Sequence, residues 1–325
     1  MTTNSMVKLM LQKKGDFCSG EELSRELRIS RTAVWKQIKT LREKGYLIEA
    51  APRRGYRLVG LPDRLYPEIF TVGLNTSLLK GPYYHFMKVD STNRALRQLA
   101  EEGKPQGTIV IAEEQLQGRG RLGRSWHSPP GKGIWISVLL KPPLAPENSA
   151  CLTLLAGVTV QKTIQEVTGL ETGIKWPNDI LYSGDKLCGI LTEIKAEMEA
   201  LHYLIVGIGL NVNQGKSDFP PELAKSSSLK IITGQKQDRH QLTTALLQNM
   251  DNLYRLFLQE GFGAIREMWK GKNITLGQKI TVHRQGAASF SATALDIDGK
   301  GRLKIVTEEG REDTITAGEV SLNPE

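Results

Sequence analysis

A segment in the middle of the chain combines glycine with fixed positive charge. It runs Gly-Arg-Gly-Arg-Leu-Gly-Arg at 118–124. Glycine lets a ligand approach the backbone closely, and arginine supplies a charge that stays on at any ordinary pH. A loop of this composition is suited to binding carboxylates and phosphates. An exposed basic hairpin without a ligand is the alternative that this run alone leaves open.

The same run contains the spacing G-x-G-x-x-G of dinucleotide-binding folds. That motif must follow a strand and open a helix. Here the chain continues as Trp-His-Ser-Pro-Pro-Gly at 126–131, which cannot begin a helix. The dinucleotide interpretation is therefore rejected. The sequence also lacks the P-loop pattern G-x-x-x-x-G-K-[ST].

A second segment places lysines close to an acid. Lys-Trp-Pro-Asn-Asp at 175–179 is followed by Lys-Leu-Cys-Gly-Ile-Leu-Thr-Glu at 186–193. Lysine can neutralise a phosphate, and a carboxylate can hold a magnesium ion that also binds phosphates. Either piece alone is equally typical of a charged strand end. The five histidines are scattered without triad or metal-ligand spacing, so we expect them to be structural or exposed.

These segments must be held by a mixed set of helices and strands. Apolar runs predict strands at 108–112, 133–140 and 204–210. Helical spacing of apolar residues predicts helices at 149–168 and 241–260. This mixture indicates an α+β domain.

Positive charge is concentrated at the N-terminal end. The 325-residue chain has a net charge of +8, and residues 1–60 contain 13 Lys+Arg against 6 Asp+Glu. The remaining 265 residues contain 30 and 29. A basic end on a nearly neutral body indicates a nucleic-acid module attached to something else. A solvated basic face is the alternative, and charge alone does not decide between them.

The first sixty residues have the spacing of a winged helix-turn-helix. Helices are predicted at 6–11, at 19–27 with a serine cap, and at 31–44. Two strands at 46–49 and 56–59 enclose a turn with two arginines. The third helix would enter the major groove, and the turn would reach the DNA backbone. A small helical packing domain is the alternative.

Six residues of this unit are the expected DNA contacts. Their side chains are of the types that contact phosphates and base edges. Four belong to the third helix and two to the turn: Arg31, Thr32, Lys36, Gln37, Arg53 and Arg54.

Taken in order, the motifs of the chain resemble those of the biotin–protein ligases. The resemblance is carried by 118–126, 175–179, 186–191 and the Gly-Ile-Gly-Leu-Asn-Val-Asn segment at 207–213. The Ser-Thr-Asn triplet at 91–93 is similar to an early biotin-contacting triplet of that family. The resemblance covers essentially the whole chain. Because a winged helix precedes the ligase motifs, it is to the bifunctional type that is also a biotin operon repressor.

The resemblance implies an α+β multidomain fold in three parts. A winged helix-turn-helix DNA-binding domain is expected at 1–62 and a catalytic domain with a mixed sheet, similar to class II synthetases, at 66–270. A small SH3-like β-barrel is expected at 273–325. Within the tail, short apolar runs predict strands at 280–282, 291–293 and 303–306.

The resemblance also implies the reaction and its partners. Biotin and ATP, with Mg²⁺, would form biotinyl-5′-adenylate, and the biotinyl group would pass to a lysine of the biotin carboxyl carrier protein of acetyl-CoA carboxylase. Adenylate binding would favour a homodimer on operator DNA. No apolar run of membrane-spanning length occurs, and the three cysteines are far apart in the chain, so we expect a cytoplasmic protein.

By motif position, the resemblance assigns roles to eleven residues of the expected ligase. Catalysis is assigned to Lys186, Arg121 and Asp179, with Asp179 as the candidate magnesium ligand. Biotin binding is assigned to Ser91, Thr92, Asn93, Gln115, Arg119, Gly120, Arg121 and Lys186. ATP binding is assigned to Arg119, Arg121, Asn178, Asp179 and Asn211. The Ser-, Pro- and Lys-containing segment 217–228 is expected to cover adenine.

Three other functions stay open at this point. A lipoate–protein ligase would have a related catalytic fold. A transcription factor could sense biotin or its adenylate without catalysis. A ligase could also retain a winged helix that no longer binds an operator.

Overall fold

The computed structural model describes residues 2–197, 200–283, 288–316 and 319–322. The chain divides into two compact units, Met1–Leu74 and Asn75–Glu325. Each unit is described by itself. Among the described residues, no helix is both long enough and apolar enough to cross a membrane.

The first unit is a three-helix domain with a two-stranded wing and a short final helix. Its elements are α1 (Thr2–Gln12), α2 (Gly20–Leu27), α3 (Arg31–Glu43), β1 (Leu47–Ala51), β2 (Gly55–Gly60) and α4 (Pro67–Phe70). All three predicted helices and both predicted strands are present. The first helix begins at Thr2, four residues before the first residue of the predicted helix. The additional residues at its start are polar, so the spacing of apolar residues could not indicate them.

Serine caps and an apolar stripe fix the two central helices of this unit. The Oγ atoms of Ser19 and Ser30 accept hydrogen bonds from backbone N–H groups three residues further on, at 3.0 and 3.1 Å. On α3 the residues Val34, Ile38 and Leu41 are buried at i, i+4 and i+7. The opposite face of α3 is therefore left to solvent.

The second unit is built around a mixed seven-stranded sheet. Its strands are β3 (Tyr83–Phe86), β4 (Ile109–Ala112), β5 (Gly133–Leu140), β6 (Gly173–Lys175), β7 (Asp179–Tyr182), β8 (Asp185–Glu197) and β9 (Ala200–Asn211). Their order in the sheet is β3-β4-β5-β9-β8-β7-β6. Only the β3–β4 pair is parallel among these strands. The predicted mixed sheet is confirmed, and the three predicted strands are β4, β5 and β9.

The second unit also contains the helices α5 (Thr92–Glu101), α6 (Ala150–Thr168), α7 (Leu229–Thr233), α8 (Arg239–Glu260) and α9 (Phe262–Lys270). Of these, α5, α6 and α8 contact strands of the sheet, and α9 packs on α6 and α8. The two predicted helices correspond to α6 and α8. The start of α8 is fixed by Asp238, whose carboxylate accepts the backbone N–H groups of His240 and Gln241 at 2.7 and 3.1 Å.

The tail forms a separate antiparallel sheet of five strands. These are β10 (Lys279–His283), β11 (Phe290–Ile297), β12 (Leu303–Thr307), β13 (Glu312–Ile315) and β14 (Glu319–Leu322), in the order β13-β12-β11-β10-β14. The three strands predicted in the tail are present as β10, β11 and β12. The turn between β11 and β12 contacts the turn between β6 and β7, since the indole N–H of Trp176 donates to the Gly301 carbonyl at 3.2 Å.

Candidate functional site

The second unit contains a cavity of about 290 Å³. All eleven residues that were assigned to biotin, ATP or catalysis line it: Ser91, Thr92, Asn93, Gln115, Arg119, Gly120, Arg121, Asn178, Asp179, Lys186 and Asn211. They come from six separate stretches of the chain between the start of α5 and the end of β9. The fold therefore brings together residues that lie up to 120 positions apart.

Two glycines of β9 allow side chains to lie directly against the sheet. A Cβ atom on Gly207 would lie 2.3 Å from Oδ1 of Asn93, and one on Gly209 would lie 2.3 Å from Nε1 of Trp126. Both distances are far below van der Waals contact. The Gly-Ile-Gly spacing therefore makes room for one cavity side chain on each glycine.

A polar network holds the expected biotin-binding residues. Oε1 of Gln115 accepts the backbone N–H of Thr92 at 2.8 Å, and Nε2 of Gln115 donates to Oγ of Ser128 at 2.9 Å. Oγ of Ser137 lies 2.7 Å from Oγ1 of Thr92 and 2.6 Å from Oδ1 of Asn93. Ser137 lies within the apolar run of β5, so sequence reasoning missed it. Its only signal is a hydroxyl in an otherwise apolar strand.

The glycine–arginine loop is a tight turn and opens no helix. A single 3₁₀ turn spans Arg121–Gly123, and the N–H of Gly120 donates to the Arg124 carbonyl at 2.7 Å. Leu122 has φ = 54°, in the left-handed region that few L-residues adopt. Nη1 of Arg121 lies 3.4 Å from Oδ1 of Asn178, which joins the loop to the β6–β7 turn.

Lys186 is held from several sides at the wall of the cavity. Its Nζ lies 2.7 Å from Oδ1 of Asp179 and 5.3 Å from the ring centre of Trp126. Oδ1 of Asp179 is buried and accepts no hydrogen bond from the described residues, so the ion pair with Lys186 is its charged contact there. The lysine ammonium is thus fixed by a carboxylate and an aromatic face, with its side chain 32% exposed toward the cavity.

Segment 217–228 lies at the same cavity. Its residues Phe219, Glu222, Leu223, Lys225 and Ser226 line the wall. The backbone N–H of Lys186 donates to the carbonyl of Lys225 at 2.9 Å. The segment is therefore joined to the strand that carries the cavity lysine. Its role as a cover over adenine stays a prediction.

One turn of this segment is fixed by a carboxylate. Oδ2 of Asp218 accepts the backbone N–H of Gly215 at 2.7 Å, and Nζ of Lys132 lies 3.2 Å away. This backbone hydrogen bond, with the nearby lysine, lowers the pKa of Asp218 below its ordinary value. The carboxylate is therefore ionised whenever the protein is near neutral pH.

The described residues offer little for covalent or metal-cluster chemistry. Burial raises the pKa of the Cys188 thiol, which keeps this neighbour of the cavity neutral. Burial likewise raises the pKa of Cys151 to about 12. Within the described part of the chain, no group of three or more His, Cys, Asp and Glu residues is placed to hold a metal ion. The cations and polar side chains that do line the cavity are of the types that bind carboxylates and phosphates.

The structure leaves most of the expected DNA contacts exposed. Arg31, Thr32 and Lys36 are exposed on α3, and Arg53 is exposed in the wing turn. Gln37 differs, because its side chain is half-buried and its Oε1 is buried.

Two details of this surface were not predicted. The guanidinium of Arg54 is exposed but lies 4.1 Å from the ring centre of Phe17, so it is already in a cation–π contact. Trp35, on the same exposed face of α3, was missed, although its helical position could have indicated it.

Three family models match the chain in order. The model described as HTH domain matches residues 2–57. The model described as biotin/lipoate A/B protein ligase family matches residues 86–211. The model described as biotin protein ligase C terminal domain matches residues 275–323.

Similar proteins extend over nearly the whole chain. A bifunctional ligase/repressor, BirA, of Bacillus subtilis is 40% identical over 94% of this chain and 94% of its own length. A biotin–[acetyl-CoA-carboxylase] ligase of Mycobacterium tuberculosis is 31% identical over 79% of this chain and 97% of its own. The structure of a biotin protein ligase from Aquifex aeolicus with biotin and ATP is 32% identical with a TM-score of 0.64, and it covers 75% of this chain and 99% of that one.

Proposed function

The chain belongs to the family of bifunctional ligase/repressor proteins, and from that premise we propose that it is an ATP-dependent biotin–protein ligase that also represses transcription. The ligase part of this proposal rests on one observation: the eleven residues assigned to biotin, ATP or catalysis all line one cavity. The repressor half is supported by the basic winged helix at the N-terminal end. Both halves agree with the relative that is similar over 94% of the chain.

The first step is the activation of biotin. A carboxylate oxygen of biotin attacks the α-phosphorus of ATP, a new P–O bond forms, and pyrophosphate leaves. The enzyme supplies no nucleophile for this displacement, so positioning and charge compensation must provide the rate. Lys186 and Arg121, both at the cavity wall, are the cations we assign to this task.

The second step transfers the biotinyl group. The neutral ε-amine of a lysine on a biotin carboxyl carrier protein attacks the acyl carbon of the adenylate, an amide bond forms, AMP leaves, and the amine loses a proton. Charge again accumulates at the acyl–phosphate junction. A lysine that is already fixed there needs no reorganisation, and this is the arrangement in which electrostatic stabilisation is most effective.

The polar network around Gln115 is the part of the cavity that we assign to biotin. Its members are buried or half-buried and hold one another by hydrogen bonds, which fixes their donors and acceptors before a ligand arrives. Small-molecule sites of this kind combine apolar walls with a few placed polar groups.

We further propose that Mg²⁺ enters with ATP and that Asp179 holds it. Among the described residues, the buried Oδ1 of Asp179 is paired with the Lys186 ammonium and accepts no hydrogen bond, so it retains lone pairs for a cation. Magnesium is usually held by one or two carboxylates together with substrate phosphates, and a single protein carboxylate fits that pattern. The ion would shield the phosphate charge.

For the repressor half, we propose that adenylate binding favours a homodimer, which presents two copies of α3 to a palindromic operator. The support is the position of the glycine–arginine loop and segment 217–228 at the ligand cavity, where a ligand would contact both. Because the partners are operator DNA and a carrier protein, the proposed location is the cytoplasm.

Pyrophosphate exchange into ATP tests the ligase half directly. Purified protein with magnesium is incubated with labelled pyrophosphate and with biotin, lipoate or no acid. Exchange that requires biotin is the expected result. Exchange that requires lipoate would support the rival ligase, and the absence of exchange from folded protein would leave a sensor without catalysis.

A further inference from the structure

Trp35 lies in the middle of α3 with its side chain in solvent. It is 56% exposed, although the same helix buries Val34, Ile38 and Leu41. The other four tryptophans, Trp126, Trp135, Trp176 and Trp269, are half-buried or buried. An exposed indole carries a large apolar surface that a stable fold does not need there.

The neighbours of Trp35 on the helix surface are polar or cationic. Arg31 and Thr32 precede it by four and three positions, and Lys39 follows by four, so all three adjoin it on one face. Each of them is exposed. Trp35 is therefore an apolar centre inside a positively charged frame, and it is not part of a wider apolar patch on α3.

This combination fits duplex DNA better than a protein partner. A protein-binding patch is usually a contiguous apolar area of several hundred Å². On α3, by contrast, a single indole is surrounded by side chains of the types that bind phosphates. In the major groove, the 5-methyl group of thymine is the apolar feature of the base edges. An indole on the groove-facing side of a recognition helix can cover such a methyl group, while the surrounding cations bind the backbone.

We propose that Trp35 contacts a thymine 5-methyl group in the major groove and so determines sequence specificity at that position. The proposal rests on the DNA-binding half of the proposed function. It assigns to Trp35 an apolar contact with a base edge, whereas the cations of Arg31 and Lys36 are suited to phosphates and to polar base atoms.

The test removes the methyl group and the indole separately. Tight-binding duplexes are first selected from a randomised pool with the full-length wild-type protein, biotin and ATP. Each thymine of the selected duplex is then replaced by deoxyuridine, which lacks only the methyl group. Dissociation constants are measured for the wild type and for Trp35→Ala, at a salt concentration where both bind.

At one thymine in each half-site, the replacement is expected to weaken wild-type binding about fourfold, the ratio for burying one methyl-sized group. Trp35→Ala should show no such loss at that thymine. Lys39→Ala is the matched control, because it removes a neighbouring charge and should keep the methyl preference. Since Trp35 is exposed, an unchanged melting temperature of Trp35→Ala is the check on folding.

Two results would overturn the assignment of Trp35. One is an equal deoxyuridine penalty in the wild type and Trp35→Ala at every thymine, and the other is no penalty in the wild type at all. If the wild type instead enriches no duplex, the DNA-binding half of the proposed function fails as well, and this outcome is distinct from both.

Discussion

The exposed face of α3 and the cavity of the second unit are built in opposite ways. On α3 the four expected DNA contacts lie within seven consecutive positions, and three of them are exposed. The cavity residues come from six stretches spread between positions 91 and 211. A helix face is therefore set by local periodicity, whereas the cavity exists only if the whole sheet is correctly assembled.

The charges of the two regions differ in the same way. Nη2 of Arg31 lies 2.8 Å from Glu21, but both side chains are more than 70% exposed, so water and DNA compete easily for this pair. In the cavity, Lys186 is paired with a carboxylate that is only 14% exposed. Surface cations on α3 can adjust to a phosphate, while the cavity lysine is already held by its carboxylate, which is what our proposal for Lys186 requires.

The largest expected effect is a loss of stability when a buried ion pair close to the cavity is broken. Nη2 of Arg239 lies 3.0 Å from Oε2 of Glu113, and neither side chain is exposed. The same guanidinium donates to the Gly133 carbonyl at 3.0 Å, so it joins both ends of the segment that carries the glycine–arginine loop. Arg239→Ala would leave a buried carboxylate without its cation and should lower the free energy of unfolding of this unit by about 3–5 kcal/mol.

Urea unfolding followed by far-UV circular dichroism measures this loss. Lys162→Ala is the control, because it removes an exposed i,i+4 partner of Glu166 from α6 and should cost less than about 1 kcal/mol. An Arg239→Ala protein as stable as the control would show that the cavity does not depend on this pair. The contrast with the locally determined helix face would then be weaker than we argue.

The next effect concerns rate. Lys186→Ala removes the fixed cation of the cavity and should lower biotin-dependent pyrophosphate exchange by about 10²–10³-fold, as for other groups that stabilise developing charge. Lys195→Ala is the matched control on the same strand, since that side chain is exposed and does not line the cavity. Equal rates for the two variants would exclude our assignment of Lys186.

Sequence reasoning succeeded to different extents in the two regions. Serine caps and i, i+4, i+7 spacing were sufficient for α2 and α3, because both signals are local. Periodicity also predicted β5 and α6. It did not predict β3, β7 or α5, whose short or polar stretches carry weak signals of their own and are stabilised by their neighbours in the sheet.

The cavity could be predicted only through the ordered motifs. Spacing alone cannot tell that Asn93 lies against Gly207, or that Trp126 lies against Gly209, since long-range pairing of strands decides both contacts. Ser137 was missed for the same reason. Trp35 was missed for another reason, because an aromatic residue in a basic helix is ordinarily assigned to the core.

The smallest expected effect is a change in DNA affinity, and it concerns the exposed face of α3, which is determined by local helical spacing. Lys36→Ala removes one exposed cation from α3 and should weaken binding to a selected duplex only several-fold, almost uniformly across sequences. Because one phosphate contact is lost, the slope of log affinity against log salt concentration should fall by about one. Lys8→Ala, an exposed lysine of α1 outside this face, is the control and should leave the slope nearly unchanged. Equal slopes for both variants would mean that charge on the unit as a whole, and not the exposed face of α3, determines DNA binding.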